Sequence, residues 1–410
     1  MVYFPRIVDE TLAEHLRTFG GVVLQGPRAA GKSETAGQFA ASSIRLDADP
    51  ALAALAETSP GSILDGAPPR LIDEWQLAPN LWNVARHLID ERREPGQFIF
   101  TGSAIPTDES TRHSGAGRFS RITLRPMSLW ESGESSGKVS LRELMAGEPA
   151  AGIDGLDLKG YVQAIVRGGW PALVTSERMS PSLYLGNYLD DVTRVDLGSA
   201  GQQSDPVRVG ALLRAIARNV ATERPATKLA LEADISPQSA RTYLDALTRV
   251  FVLEEQPAWA THLRSSVRVR VQPKWHFVDP SLAVAALSAS EQVLMEDLKT
   301  LGFLFESLCI RDLRIYAQAL DGNVYHYRDS SDLEVDAIVE LRSGRWAAIE
   351  VKLGGTKAID EAARSLLSLK SKVSDSKQAE LGSLIVLTAG AISYRRDDGV
   401  NVVSLSHLHV

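Results

Sequence analysis

One pattern constrains this chain more than any other: Gly26-Pro27-Arg28-Ala29-Ala30-Gly31-Lys32-Ser33, preceded by the apolar run Val22-Val23-Leu24 and followed by a helix-compatible stretch from Glu34. A strand, a glycine-bounded loop and a helix in that order bring backbone N–H groups and a helix N-terminus together around an anion. Lys32 in such a loop reaches the β- and γ-phosphates, and the Ser33 hydroxyl can hold Mg²⁺. Residues 26–34, from Gly26 to the flanking Glu34, are therefore the candidate nucleotide-binding residues, with ATP and Mg²⁺ as the expected ligands.

The rest of the first third fits a parallel α/β sheet, because apolar runs at 21–25, 70–73 and 97–101 alternate with helical stretches. The second run ends in Asp73-Glu74. Asp73 is the candidate second metal residue, and Glu74 is the candidate base that polarises the attacking water. The third run ends in Thr101-Gly102-Ser103, where the Ser103 hydroxyl can reach the γ-phosphate or the lytic water.

Taken together, "VVLQGPRAAGKS", "RLIDEWQLAPNLWNVARHLID", "FIFTGSA", "GAGRFSRITLRPMSLWE", "GGWPALV" and "YLDDVTRVDL" resemble one prokaryotic family of AAA-type ATPases with a C-terminal region long labelled a domain of unknown function. The resemblance covers nearly the whole chain. It implies a sensor role for Ser103 and an arginine finger acting on a neighbour's γ-phosphate in an oligomer. Arg118 is the favoured finger, Arg121 and Arg112 are rivals, and Arg28 could serve in cis; a surface salt bridge is the plain alternative for Arg118. Two departures stand out, Trp75 in place of an aliphatic residue and Ser33 in place of threonine, and neither removes a needed functional group.

At 410 residues the chain exceeds what one hydrophobic core usually holds, so two or three domains are expected. The single cysteine, Cys309, allows no internal disulfide, and with the lack of a leader-like or spanning apolar run it suggests a cytoplasmic protein with no membrane partner. The net charge of −7 argues against a nucleic-acid binder over the whole surface. Residues 207–275 nevertheless carry eleven Lys/Arg against six Asp/Glu, which suits either DNA contact or a solvated face.

Within that basic stretch, residues 227–259 read as a winged helix-turn-helix, with Ser236 capping a second helix that has Pro237 at its first position. Gln238, Ser239, Arg241 and Thr242 lie on or near its leading turns, and Arg264, Arg268, Arg270 and Lys274 follow on strand-like sequence. Gln238, Arg241, Arg268 and Arg270 are the candidate DNA contacts. A packing or dimer module is the alternative.

In the last third, Asp336 in "DLEVDAIVEL" and Glu350-Val351-Lys352 in "WAAIEVKL" have the spacing of a PD-(D/E)xK nuclease core, with Glu306 on the preceding helix as an added acid and Glu334 able to assist. A charged pair on the wet face of a strand is the plain reading of Glu350 and Lys352.

The expected fold class is α/β. It comprises an AAA-type P-loop NTPase core at 1–135, a helical linker at 136–204, a winged helix-turn-helix at 205–290 and a restriction-endonuclease-like domain at 291–410. The expected function is ATP binding and hydrolysis coupled to DNA binding or remodelling, with a homo-oligomer as a further expected partner. Two alternatives stay open: an ATP-regulated, metal-dependent deoxyribonuclease, and a nucleotide-switched binding module whose nuclease-like domain is inactive.

Overall fold

Val22, Val23 and Leu24 are buried on both faces of β1 (Gly21–Gln25), as the uninterrupted apolar run requires of a central parallel strand. The computed structural model describes residues 3–104, 114–176, 178–197, 205–260 and 271–410. Contacts gather the chain into two units, one of Met1–Pro126, Arg194–Ser204 and Asp245–Val252, the other of Met127–Thr193, Asp205–Leu244 and Leu253–Val410.

In the first unit, β1 joins β2 (Ser42–Arg45), β3 (Arg70–Asp73), β4 (Phe98–Gly102) and β5 (Phe119–Thr123) in a parallel sheet of order β2-β3-β4-β1-β5. Alternation along the strands divides the core. Val22, Leu24, Leu71 and Ile99 pack with Leu12 and Leu16 of the helix Val8–Thr18, while Val23, Ile72, Phe98 and Phe100 pack with Trp82 and Ile89 of the helix Leu81–Arg92. The register sets Gln25 beside Gly102 and Asp73 beside Thr101. The three strands therefore end level, and Gly26, Glu74 and Ser103 emerge along one edge.

The second unit contains a six-stranded mixed sheet of β9 (Gly322–Arg328), β10 (Glu334–Leu341), β11 (Trp346–Lys352), β12 (Leu381–Thr388), β13 (Tyr394–Arg395) and β14 (Asn401–Ser404), in the order β13-β14-β12-β11-β10-β9. The helix Leu298–Ala319, capped by Asp297 through the Thr300 N–H, packs against β9, β10 and β11. Against β11 and β12 lies the helix Thr356–Lys372. The strands β7 (Leu253–Gln256) and β8 (Lys274–Phe277) form an antiparallel pair, and β6 (Val139–Ser140) runs parallel to β15 (Leu408–His409).

The two helices expected before β7 occupy Ala226–Glu232 and Pro237–Arg249, and the Ser236 hydroxyl accepts the Ser239 N–H as a cap should. The sequence of 365–380 reads as one helix, but the structure divides it. Val373 turns extended and buries its side chain in the core, and Ser374 caps a separate short helix, Asp375–Ala379.

Candidate functional site

At the end of β1 the chain must turn sharply, and Gly26 has φ 153°. A Cβ there would meet the Leu124 carbonyl oxygen at 2.1 Å, so the loop can start only from glycine. Pro27 and Ala30 are buried, while Arg28 and Ala29 face outward. The buried Arg6 guanidinium donates to the Ala30 carbonyl at 2.9 Å and to the Arg125 carbonyl at 2.7 Å, anchoring the loop from outside; nothing in the local sequence signals that role. Lys32 opens the helix Lys32–Gly37 and is itself buried, its Nζ donating to the carbonyls of Gly26 and Pro27 at 3.0 and 2.8 Å.

Two acids, Asp73 and Glu74, follow Ile72 at the end of β3, and Asp73 meets this loop. The Ser33 hydroxyl donates to Asp73 Oδ1 at 2.8 Å, and Thr101 Oγ1 donates to the same oxygen. A hydroxyl and a carboxylate are the hard oxygen donors that Mg²⁺ takes, and these two lie within one hydrogen bond of each other, so the residues present fit the ion. Glu74 has φ 57°, a left-handed conformation that costs a non-glycine residue energy and is concentrated at functional positions. Its carboxylate accepts from the Gln76 amide, and Ser103 Oγ lies 3.4 Å from the same oxygen. Gln76 and Thr101 are additions to the sequence reading. Of the two hydroxyls at the end of β4, that of Thr101 bonds the metal-candidate acid Asp73, and that of Ser103 faces Glu74.

Trp75 has a packing role. It is buried and stacks on Phe100, with ring centroids 5.8 Å apart. Glu34 is exposed on the helix after Lys32. Arg118 Nε donates to Asp90 Oδ1 at 2.9 Å, the surface pairing that was its plain alternative, and Arg121 lies over the Trp82 ring. Arg112 lies outside the described residues.

The second group of candidate residues converges in the other unit. The pairing of β10 with β9 shifts between Val335 and Ile338, a bulge at Asp336 of the kind that re-aims a side chain. The Gln256 amide donates to the carbonyls on either side of it, those of Asp336 at 2.9 Å and Tyr325 at 3.0 Å. Asp336 Oδ2 accepts the Val351 N–H at 2.8 Å. Glu350 is buried and so is not on a wet strand face, while Lys352, its side chain 31% exposed, pairs through Nζ with Glu350 at 2.7 Å and with Asp336 at 3.5 Å.

Lys274 was grouped with surface cations in the sequence, and its place differs most from expectation. It is buried among Glu306, Glu334 and Asp336. Burial pushes the Glu306 carboxyl up to about 8 against the pull of Lys274. Burial and the neighbouring Asp336 push Glu350 up to about 8 as well. Burial also works on Asp336, but the ammonium groups of Lys274 and Lys352 outweigh it and hold that carboxyl below its ordinary value. Among the described residues, no group of three or more His, Cys, Asp or Glu is placed to hold a metal ion.

Of the candidate DNA contacts, Gln238 and Arg241 are exposed on the first turns of their helix, with Ser239 and Thr242 half-buried. Arg264, Arg268 and Arg270 lie outside the described residues.

His326 sits opposite the bulge and supplies a pH test. Burial, with the Lys274 ammonium acting in the same direction, lowers its pKa from 6.5 to about 4. A depressed histidine stays neutral when folded while the unfolded chain takes the proton. The stability this gives is therefore full above pH 6.5 and is lost as the pH falls toward 4. The loss is on the order of 3 kcal/mol. Urea unfolding of wild type and His326→Gln at both ends of that window should show the extra acid sensitivity in wild type alone; equal sensitivity would mean that His326 is not held neutral.

A parallel sheet with a glycine-bounded phosphate loop at one strand end and an acid pair level with it defines a P-loop nucleotide-binding domain. Residues 19–132 match a family model described as an AAA domain, so the first unit carries an AAA-type P-loop domain. Residues 158–293 and 301–408 match two models each described as a domain of unknown function, DUF8612 and DUF4143. The chain is similar to uncharacterized proteins of Mycobacterium bovis and Mycobacterium tuberculosis, each 28% identical over 352 residues, which are 84% of this chain and 73% of the relative. A solved structure, a Walker-type ATPase of Pyrococcus abyssi, aligns with 69% of this chain and 96% of its own at TM-score 0.41 and 15% identity. Among the described residues no helix is long and apolar enough to cross a membrane.

Proposed function

We propose that the first unit binds ATP with Mg²⁺ and hydrolyses it by in-line attack of water on the γ-phosphoryl group. The observation that carries this reading is the hydrogen-bonded chain Ser33–Asp73–Thr101, with Glu74 and Ser103 beside it at level strand ends. The loop amides of residues 26–34 cradle the phosphates, and Lys32 binds the β/γ oxygens. Ser33 and Asp73 would hold Mg²⁺, which when bound supplies charge stabilisation at the phosphate oxygens. Glu74 takes the proton of the attacking water, Gln76 holds its carboxylate in place, and Ser103 bonds the γ-phosphate or the water. Arg118, once released from Asp90, acts as a finger toward a second copy of the chain.

Glu74→Gln should bind ATP as wild type does and hydrolyse it about 10²–10⁴-fold more slowly, the usual contribution of a positioned base. Phosphate release and ATP binding measured on the same preparation check this; an unchanged turnover rate would remove Glu74 as the base.

The wider proposal is that nucleotide state is coupled to DNA binding or remodelling in the second unit. Exposure of Gln238 and Arg241 on the leading turns of a helix that follows a short helix and turn supports it. The division into a core at 1–135, a linker at 136–204, a winged helix at 205–290 and a nuclease-like domain at 291–410 belongs to the same proposal.

A further inference from the structure

The bulged start of β10 gathers four carboxylates and two ammonium groups, and the ammonium of Lys274 is the one no nuclease pattern calls for. Its Nζ lies 2.9 Å from Glu306 Oε1, 2.8 Å from Glu334 Oε1 and 3.7 Å from Asp336 Oδ1. Its side chain is 2% exposed. An ammonium is a donor only, and here carboxylate oxygens surround it.

We infer that Lys274 is a resident cation that fills the position a divalent metal would need among Glu306, Glu334 and Asp336, and so closes this nuclease-like cluster to Mg²⁺ and Mn²⁺. A divalent ion would require these oxygens at ~2.0–2.6 Å, which leaves no room for an ammonium already standing 2.8–3.7 Å from the same atoms. Like charges at that separation in a buried site exclude each other.

Three features keep the ammonium in place. Lys274 is the first residue of β8 and is paired with Gln256 of β7, so its backbone is fixed in a ladder. Two residues on, His276 contacts Ser307 Oγ and Gln256 Oε1, each at 3.0 Å. Ser307 follows Glu306 in the helix, and the strand that supplies the cation is thus tied to the helix that supplies an acid. Three more acid atoms are also engaged: Glu350 Oε2 and Asp336 Oδ2 by Lys352, Asp336 Oδ2 again by the Val351 N–H, and Glu334 Oε2 by Arg328 at 3.6 Å. Glu223 in turn lies 3.7 Å from Arg328 and 3.6 Å from His326.

The pattern Asp336…Glu350-x-Lys352 is intact, yet Lys274 stands against Asp336 and the two acids beside it, Glu306 and Glu334, where a metal would have to enter. The ATPase proposal uses none of these residues, so either reading can fail alone.

Mn²⁺ binding to the nucleotide-free full-length protein, followed by calorimetry and by the paramagnetic resonance of the free ion, tests this. Wild type and Asp336→Asn are expected to give the same isotherm. A wild-type Mn²⁺ site that disappears in Asp336→Asn would overturn the inference, as would metal-dependent DNA nicking by wild type that Asp336→Asn abolishes. Lys274→Met should gain a Mn²⁺ site about tenfold or more tighter than anything at this cluster in wild type, and adding Glu306→Gln should remove it. A Lys274→Met protein with a wild-type circular dichroism spectrum and no gain in Mn²⁺ binding would also overturn it. Should that variant fail to fold, the comparison of wild type with Asp336→Asn decides, since it needs no change at Lys274.

Discussion

Lys32→Ala is expected to bind ATP about 10²–10⁴-fold more weakly than wild type while keeping its fold. In the proposed complex the ammonium makes about two hydrogen bonds to phosphate oxygens, and bonds to charged groups contribute about 1.5–3 kcal/mol each. Their sum of about 3–6 kcal/mol converts to that range at about 1.4 kcal/mol per decade. The cost to the apo fold should be small. Lys32 Nζ donates to the backbone carbonyls of Gly26 and Pro27 in the loop it serves, and an alanine at the helix start lets water take its place at those carbonyls. The loop is also anchored from elsewhere, through the Arg6 guanidinium on the Ala30 carbonyl. Calorimetric titration with ATP, paired with a thermal melt, reads both quantities. An affinity within about threefold of wild type would show that the lysine does not reach the phosphates, because one charged hydrogen bond alone should exceed that.

The parts of this molecule that could be read from its sequence are those whose physics is local. Val22 to Leu24, the loop after them and the acid pair after Ile72 need only the strand period and the chemistry of glycine and phosphate, and the sheet brings them together as that reasoning expects. The helices on either side of Ser236 were legible because a cap and an N1 proline act within one turn.

Features that depend on a distant partner were not legible. Lys274 follows three arginines in strand-like sequence, and only the pairing of β8 with β7 reveals that it points at acids more than thirty residues away. Thr101 and Ser103 are equivalent hydroxyls in sequence; the register assigns the first to Asp73 and the second to Glu74. The break after Lys372 was missed because Val373 leaves the helix to enter a core that the local sequence does not describe. The same limit applied to "GGWPALV" and "LRPMSLWE", which mark the resemblance well but state no purpose.

Their purpose lies in a buried charge network, and Arg311→Met is expected to destabilise the second unit by about 3–5 kcal/mol. Arg311 is 3% exposed and Asp279 and Asp312 are fully buried. Arg311 Nη1 donates to Asp279 Oδ2 at 2.8 Å, and Nε donates to Asp312 Oδ1 at 2.8 Å. The acids use their other capacity on the two motifs, with Asp279 accepting the Gly169 N–H and Asp312 the Leu129 N–H, each at 3.0 Å. Gly169 is required there because a Cβ would meet the Met127 carbonyl oxygen at 2.0 Å. Asp279 also caps the helix Pro280–Ala286 through the Ser281 N–H. Burial drives the Asp312 carboxyl up to about 6, and Arg311 is what pulls it back. Removing only the guanidinium leaves two carboxylates buried beside each other. Neutralising all three groups, as Arg311→Met/Asp279→Asn/Asp312→Asn, should recover part of the loss, since an amide can still accept the motif N–H groups. Hydrogen exchange at Leu129 and Gly169 gives the local free energy directly. Both amides should exchange far faster in Arg311→Met and more slowly again in the triple variant; wild-type rates in Arg311→Met would mean that the motifs are held by something other than this network.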